Sequence, residues 1–457
     1  MNRVKTRTIT ALVLVAAMLA GLLFYVFTYL QNGAEWASFQ ANRNVYTNGL
    51  VLTGSVVDRN GTVLTSARDG SRWYHADDEI RKATLHVVGD RSGNIGTSVL
   101  NRYSSQLIGY DPINGVYSLS DRGGTVQLSI DAEVSRVALE ALNGASGTIA
   151  VYNYKTGEIL CMVSSPTFDP DHEPDLSSDT AGYEGVYLNR AVSSTFTPGS
   201  IFKLVTAAAA IENIEGLFDM RFDCPGSIEV DGKTINCHST HGSLSLGNAL
   251  AVSCNCAFAE IALMLGSDTL AQYAKVYGLT ESFSMDSIST AAGNYDLHED
   301  DSWELAWSGI GQSTDLVNPL AFLRLMGAYA NEGVAVTPRF VLSVTGASGI
   351  RTTITPQTSE RLVNAKTANA MRELMAYNVT ANYGTANYPG LDLCAKSGTA
   401  EVGGDAQPHA WFAGFLRNED APLAFVVLIE NGGSGSKVAG AAANRVLQAA
   451  VAAVRGS

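Results

Sequence analysis

The sequence predicts an α+β fold behind one membrane-spanning helix, and three observations predict it. Residues 9–30 form an uncharged apolar run. A β-rich stretch with tight turns follows. Beyond residue 145, strand patterns stand at both ends of a unit whose middle is helical. Strands separated by intervening helices suggest one sheet assembled from sequence-distant segments.

The apolar run reads ITALVLVAAMLAGLLFYVFTYL, and about 20 such residues cross the hydrocarbon core of a bilayer. Arg3, Lys5 and Arg7 precede it and Glu35 follows it. That bias orients residues 1–8 as a cytoplasmic tail, residues 9–30 as a single-pass anchor, and the remainder outside the membrane. A cleaved signal peptide has a shorter apolar region closed by a small-residue site, which is not seen here, so an uncleaved anchor is the reading taken. The net charge is −14, and nucleic acid is excluded as a partner because neutralising phosphates needs a basic face.

After the anchor, residues 34–48 are polar and read as a linker or short helix. In residues 51–67, Asn60-Gly61 between two β-branched runs reads as a hairpin with a type I′ turn. Asp131 caps a helix over AEVSRVALEAL. From residue 146 a second hairpin turns at Lys155-Thr156-Gly157. Helices are predicted over 200–214, 246–265, 319–330, 359–377 and 437–454, and strands over 393–402, 411–416 and 423–430. Six cysteines occur. Cys224 and Cys237 flank a hairpin turning at Asp231-Gly232 and form the best disulfide candidate; the others read as small buried hydrophobes. His238 and His241 form an H-x-x-H without a carboxylate at useful spacing, so a packed or solvated pair is favoured over a zinc site, and no metal or cofactor is expected. Nothing resembles a phosphate-binding loop or a dinucleotide fingerprint.

Three short motifs carry chemistry. Ser200-Ile201-Phe202-Lys203 puts a hydroxyl and an amine one helical turn apart, so that a lysine of lowered pKa can take the serine proton. Ser253-Cys254-Asn255 offers a proton-relaying hydroxyl and a peptide-binding amide. Lys396-Ser397-Gly398-Thr399, on a strand, offers a cation for a carboxylate, a close backbone approach at Gly398, and a Thr399 N–H that could join that of Ser200 in holding an oxyanion. Each pattern recurs by chance, at Ser434–Lys437, Ser92–Asn94 and Lys155–Gly157. Only the first set has the right order and the right secondary structure, and the combination S-x-x-K, S-x-N and K-S/T-G is that of penicillin-binding proteins and related β-lactamases.

Beyond the motifs, TGEILCMVSSPTFDPD (156–171), PGSIFK (198–203), IGQSTDLVNPL (310–320) and AWFAGF (410–415) make residues 145–457 resemble the transpeptidase domain of class B penicillin-binding proteins. GSVVDRNGTVL (54–64) is similar to the pedestal signature of that family, with Thr53 in place of its arginine. The resemblance implies a pedestal over 34–142 and a transpeptidase domain over 145–457, built as a central antiparallel sheet flanked by helices with a helical subdomain. It implies a peptidoglycan D,D-transpeptidase that cross-links stem peptides and is inhibited by β-lactams. Ser200 would be the nucleophile and Lys203 the base, and Ser253 would help protonate the leaving amine. Asn255 would hold the peptide, and Lys396, Ser397, Gly398 and Thr399 the terminal carboxylate and its surroundings. It also implies a membrane glycosyltransferase of the SEDS type as partner, because the residues before 145 are too few for a glycosyltransferase domain. Two rivals stand. One is a β-lactamase or D,D-carboxypeptidase on the same fold, and a class A β-lactamase would need a deacylating glutamate between S-x-N and K-S-G, where Glu299 and Glu304 occur. A non-catalytic β-lactam sensor or scaffold would need a signalling output, which the short cytoplasmic tail argues against.

Overall fold

A computed structural model describes residues 2–39, 46–47, 50–51, 54–68, 71–111, 113, 115–116, 123–176, 181–296, 301–355, 358–404 and 406–456. Helix α1 (Asn2–Ala37) runs into residues 34–37, the start of the stretch expected to be a linker or short helix, and its apolar part is long enough to cross a membrane. Apart from residues 38–39 and 46–47, the rest of that stretch lies outside the described residues. Strands β1 (Ser55–Val57) and β2 (Val63–Arg68) form the expected antiparallel hairpin. Its turn is not type I′: Gly61 has φ of 85° while Asn60 keeps a negative φ, and the register shifts between Val56 and Val57. Asp58 sets this geometry by accepting from the N–H groups of Asn60 and Thr62, as in a type I turn closed by a glycine bulge.

β3 (Ser71–Tyr74), α2 (Asp78–Val88) and β4 (Thr125–Leu128) follow. Helix α3 (Ala132–Leu142) starts at Asp131, whose carboxylate accepts from the Glu133 and Val134 N–H groups. Next come β5 (Gly147–Asn153), β6 (Ile159–Ser165), α4 (Lys203–Asn213), and the hairpin β7 (Ser227–Val230) and β8 (Lys233–Asn236), which turns at Asp231 and Gly232 with positive φ. The chain continues through α5 (Asn255–Leu265), α6 (Pro319–Ala330), β9 (Val341–Thr345), β10 (Arg351–Thr353) and α7 (Ala365–Asn378), and ends with β11 (Leu393–Ala400), β12 (His409–Leu416), β13 (Leu423–Ile429) and α8 (Gly440–Gly456).

The central sheet is antiparallel in the order β11-β12-β13-β5-β6, assembled from both ends of its unit. Both faces are covered, so its strands read as unbroken apolar runs. Along β5, Ile149 and Val151 pack with α3 and α8, whereas Ala150 and Tyr152 face the larger core containing α4, α5 and α6. The interval 34–142 shares packing and a sheet with later segments. Its helix α3 packs on α8 and β6, and its sheet, in the order β10-β9-β4-β1-β2-β3, borrows β9 and β10 from beyond residue 340. The expected boundary, between residues 142 and 145, falls in the connection from α3 to β5. The two parts are also bolted by charge, with the Arg81 guanidinium gripping both Asp169 carboxylate oxygens at 2.7 and 2.6 Å.

Two predicted helices change at functional positions. The helix expected over 246–265 is broken: one helix ends at Ala251, Ser253 takes a left-handed φ of 54°, and the Cys254 sulfur then caps α5. The helix expected from Ser200 opens as a 3-10 turn (Gly199–Ile201) and becomes α-helical at Lys203. Residues 358–361 are a strand rather than the start of α7.

Candidate active site

The Gly199–Ile201 turn is wedged between two backbones. Gly199 donates its N–H to Gly311 O at 2.8 Å, and Gly311 has φ of 83° with no room for a Cβ against the Gly199 carbonyl. On the other side, a Cβ on Gly199 would lie 2.9 Å from Ala400 Cα, and one on Gly398 would lie 2.8 Å from Pro198 O. Three glycines thus let the Ser200 turn nest against the edge strand β11 and the 310–320 segment. Asn318 anchors that segment, its amide donating to the carbonyls of Ala191, Val192 and Ser194 while its oxygen caps α6.

Lys203 is fully buried at the start of α4. Its Nζ lies 2.7 Å from Ser253 O, 2.7 Å from Asn255 Oδ1 and 3.2 Å from Ser253 Oγ. Lys396, equally buried on β11, donates to Ser253 Oγ at 3.0 Å and to Ser397 O at 2.9 Å. Two amines therefore bracket one serine hydroxyl, and the break at Ser253 puts it there. Burial pushes Lys203 down to about 8, and burial together with the Lys203 charge pushes Lys396 well below the usual lysine range. As a neutral amine Lys203 keeps two N–H groups for the two carbonyl oxygens and frees a lone pair for an incoming proton.

Asn255 bridges Lys203 and the β7–β8 hairpin, since its Nδ2 donates to Asn236 O at 2.8 Å. Lys396, expected to offer a cation for a carboxylate, is buried, and the more accessible groups beside it are Ser397 and Thr399. The Ser397 N–H donates to Tyr383 Oη at 2.7 Å, and Tyr383 donates to Ser397 Oγ at 2.9 Å. Because N–H directions alternate along a strand, the Thr399 N–H points from the same free edge as that of Ser397, and the Thr399 carbonyl on that edge faces Gly199.

Tyr383 was not legible in the sequence. It ends a π-helical extension of α7, Val379–Tyr383, and no motif marks it. Trp411, whose Nε1 donates to Thr197 O at 2.9 Å, holds the segment before Ser200 and lies inside the AWFAGF run. The supposedly irrelevant Ser434–Lys437 copy packs beside the site, with the Gly435 N–H directed at Thr399 Oγ1 at 3.4 Å. Lys155–Gly157 sits in the β5–β6 turn, as expected. Glu304 accepts from Ser313 Oγ at 3.1 Å, and Glu299 lies outside the described residues.

The cysteines depart most from expectation. Among the described residues all six are free thiols, so Cys224 and Cys237 are not bridged. His241 is not an isolated histidine: its Nδ1 is 3.4 Å from Cys224 Sγ and 3.5 Å from Cys237 Sγ, and Cys254 completes the group. Carboxylates were the wrong partners to look for, because thiols from the hairpin and the Ser253 turn take their place.

This geometry meets its counterpart in known proteins. The family described as "Penicillin binding protein transpeptidase domain" matches residues 147–448. The chain belongs to that family. Its relatives include a peptidoglycan D,D-transpeptidase, PbpA, of Mycolicibacterium smegmatis, 32% identical over 78% of this chain and 77% of the relative. Another, MrdA of Acinetobacter baumannii, is 27% identical over 70% of this chain and 52% of its own length. Among solved structures, the D,D-transpeptidase domain from Eggerthella lenta superposes with a TM-score of 0.75 at 27% identity, covering 88% of this chain and 98% of that domain. The penicillin G acyl-enzyme of penicillin-binding protein A from Mycobacterium tuberculosis superposes with a TM-score of 0.77 at 26% identity, covering 88% and 99%. This transpeptidase is thus a class B penicillin-binding protein with the mixed fold of that family.

Proposed function

We propose that the chain cross-links peptidoglycan through an acyl-enzyme on Ser200. The observation that carries this reading is the hydrogen-bonded row Lys203–Ser253–Lys396 beside the Ser200 turn and the free edge of β11. Lys203, neutral for an appreciable fraction of the time at pH 7, takes the Ser200 proton as Oγ attacks the penultimate D-alanine carbonyl of a stem peptide. The N–H groups of Ser200 and Thr399 hold the oxyanion. Ser253, resupplied by the flanking lysines, protonates the departing D-alanine amine. Ser397 and Thr399 receive the terminal carboxylate over the buried Lys396 charge, and Asn255 orients both Lys203 and the peptide. An acceptor amine from a second stem peptide then takes the acyl group. β-Lactams acylate the same serine.

Arg3, Lys5 and Arg7, in the first turns of α1 ahead of its apolar run, support a cytoplasmic N-terminus with the catalytic domain outside the cell membrane. A separate glycosyltransferase of the SEDS type in that membrane would supply the glycan strands. The test is labelling of the detergent-solubilised full-length chain with a fluorescent penicillin. Stable labelling that disappears in Ser200→Ala is expected. Undiminished labelling of the variant would overturn the nucleophile, and rapid turnover of the reporter would instead favour a β-lactamase.

A further inference from the structure

The group formed by Cys224, Cys237, His241 and Cys254 is not used by the chemistry above. Its four ligand atoms all lie within 4.8 Å of one another. The resolved edges are 3.4 and 3.5 Å from sulfur to His241 Nδ1 and 3.9 Å from Cys237 Sγ to Cys254 Sγ. A tetrahedral zinc ion with bonds of about 2.3 Å to sulfur and about 2.0–2.1 Å to nitrogen has edges of roughly 3.6 Å between S and N and roughly 3.8 Å between two S atoms. The observed edges agree within a few tenths of an ångström. The sulfurs are also oriented as acceptors: the Asn255 N–H points at Cys237 Sγ at 3.3 Å and the Ala257 N–H at Cys254 Sγ at 3.5 Å.

We propose that Cys224, Cys237, Cys254 and His241 bind one zinc ion in a closed, structural site that fastens the S-C-N turn to the hairpin preceding it. Three sulfurs and one imidazole fill a tetrahedron and leave no position for a reactive water, so the ion does no chemistry itself. Binding displaces three thiol protons and changes no oxidation state. Cys254 lies between Ser253 and Asn255, and Cys237 adjoins Asn236, the residue whose carbonyl takes the Asn255 amide. One ion therefore cross-links three segments, the Phe222–Cys224 strand, the 237–241 loop and the Ser253 turn. It holds Ser253 in its left-handed conformation against both lysines.

The test uses the full-length chain purified in detergent with reductant and without chelator. Expected are close to one zinc per chain, six titratable thiols after denaturation in chelator, and, after exchange for cobalt(II), the intense visible bands of a tetrahedral thiolate complex. Cys224→Ser and His241→Ala should each weaken zinc binding at least ten-fold. They should also slow acylation by a fluorescent penicillin, and added zinc should restore the rate in part. A wild-type chain that retains six thiols yet gives no tetrahedral cobalt spectrum overturns the proposal. So does the loss of two thiols to a Cys237–Cys254 disulfide. The cobalt spectrum is read on the wild type, so a variant that fails to fold does not blunt the test.

Discussion

Moving from pH 6 to pH 8 should speed acylation of the full-length chain by a β-lactam about 50-fold, because the reactive form of Lys203 is the unprotonated one. Burial pushes this amine down to about 8, so about 1% is neutral at pH 6 and about half at pH 8. Left at 10.5, the same lysine would be neutral in only ~0.03% of molecules at pH 7, against ~9% here, a gain of about 300-fold from burial alone. The charged or titratable groups around it are Lys396 across Ser253, His238 on the hairpin side, and Cys237, Cys254 and Cys256. Of these, Lys396 lowers the site's affinity for a second proton, and the sulfurs act in the opposite sense. The sign is fixed: log rate climbs with a slope near one below the Lys203 value and flattens above it. Stopped-flow acylation with a fluorescent penicillin from pH 5.5 to 9 measures it. Lys203→Arg, which cannot release its proton, should abolish the rising limb along with most of the rate. A flat profile in the wild type, or an unchanged profile in Lys203→Arg, would refute the assignment of Lys203 as base.

Tyr383→Phe removes the hydroxyl that joins the Ser397 N–H and Oγ. It should slow acylation by about 5–150-fold, the equivalent of ~1–3 kcal/mol, with little change in melting temperature. Gly311→Ala places a Cβ into the Gly199 carbonyl at a φ of 83°, and acylation should fall at least ~100-fold as the Ser200 turn is displaced, measured by penicillin labelling. Arg81→Ala should destabilise the chain by about 1–3 kcal/mol in denaturant melts, because it strips a largely buried Asp169 of two charge-assisted bonds. The Arg81 hydrogen bonds hold the Asp169 carboxyl well below its ordinary value. The contribution is therefore complete above about pH 4–5 and vanishes as pH falls through the depressed value, so wild type and variant should converge in acid.

The anchor, the β11–β13 strands, α3 and α6 were readable because each depends on local pattern. Residues 319–330 follow an asparagine cap and a proline at the first helical turn, and α6 spans Pro319–Ala330. The order Ser200, Ser253, Lys396 was legible in the same way, since a motif is a local string. Its geometry was not. An apolar helical pattern runs straight through Ser253, and only the packing of Cys254, Asn255 and the two lysines stabilises the break there. Likewise, the hairpin that carries Cys224, Cys237 and His241 to Cys254 is a matter of chain path, which spacing rules for carboxylates or paired histidines do not capture.

The membrane-length helix and the three motifs of a serine transpeptidase were present in the amino-acid string, because hydropathy and motif order are linear properties. Only the folded chain lowers the Lys203 amine to about 8, ties Tyr383 to the K-S-G strand, and completes the sheet of β1–β4 with β9 and β10. Each of these depends on what distant segments exclude or supply: water removed from around an amine, a hydroxyl delivered to a strand edge, and strands contributed from beyond residue 340.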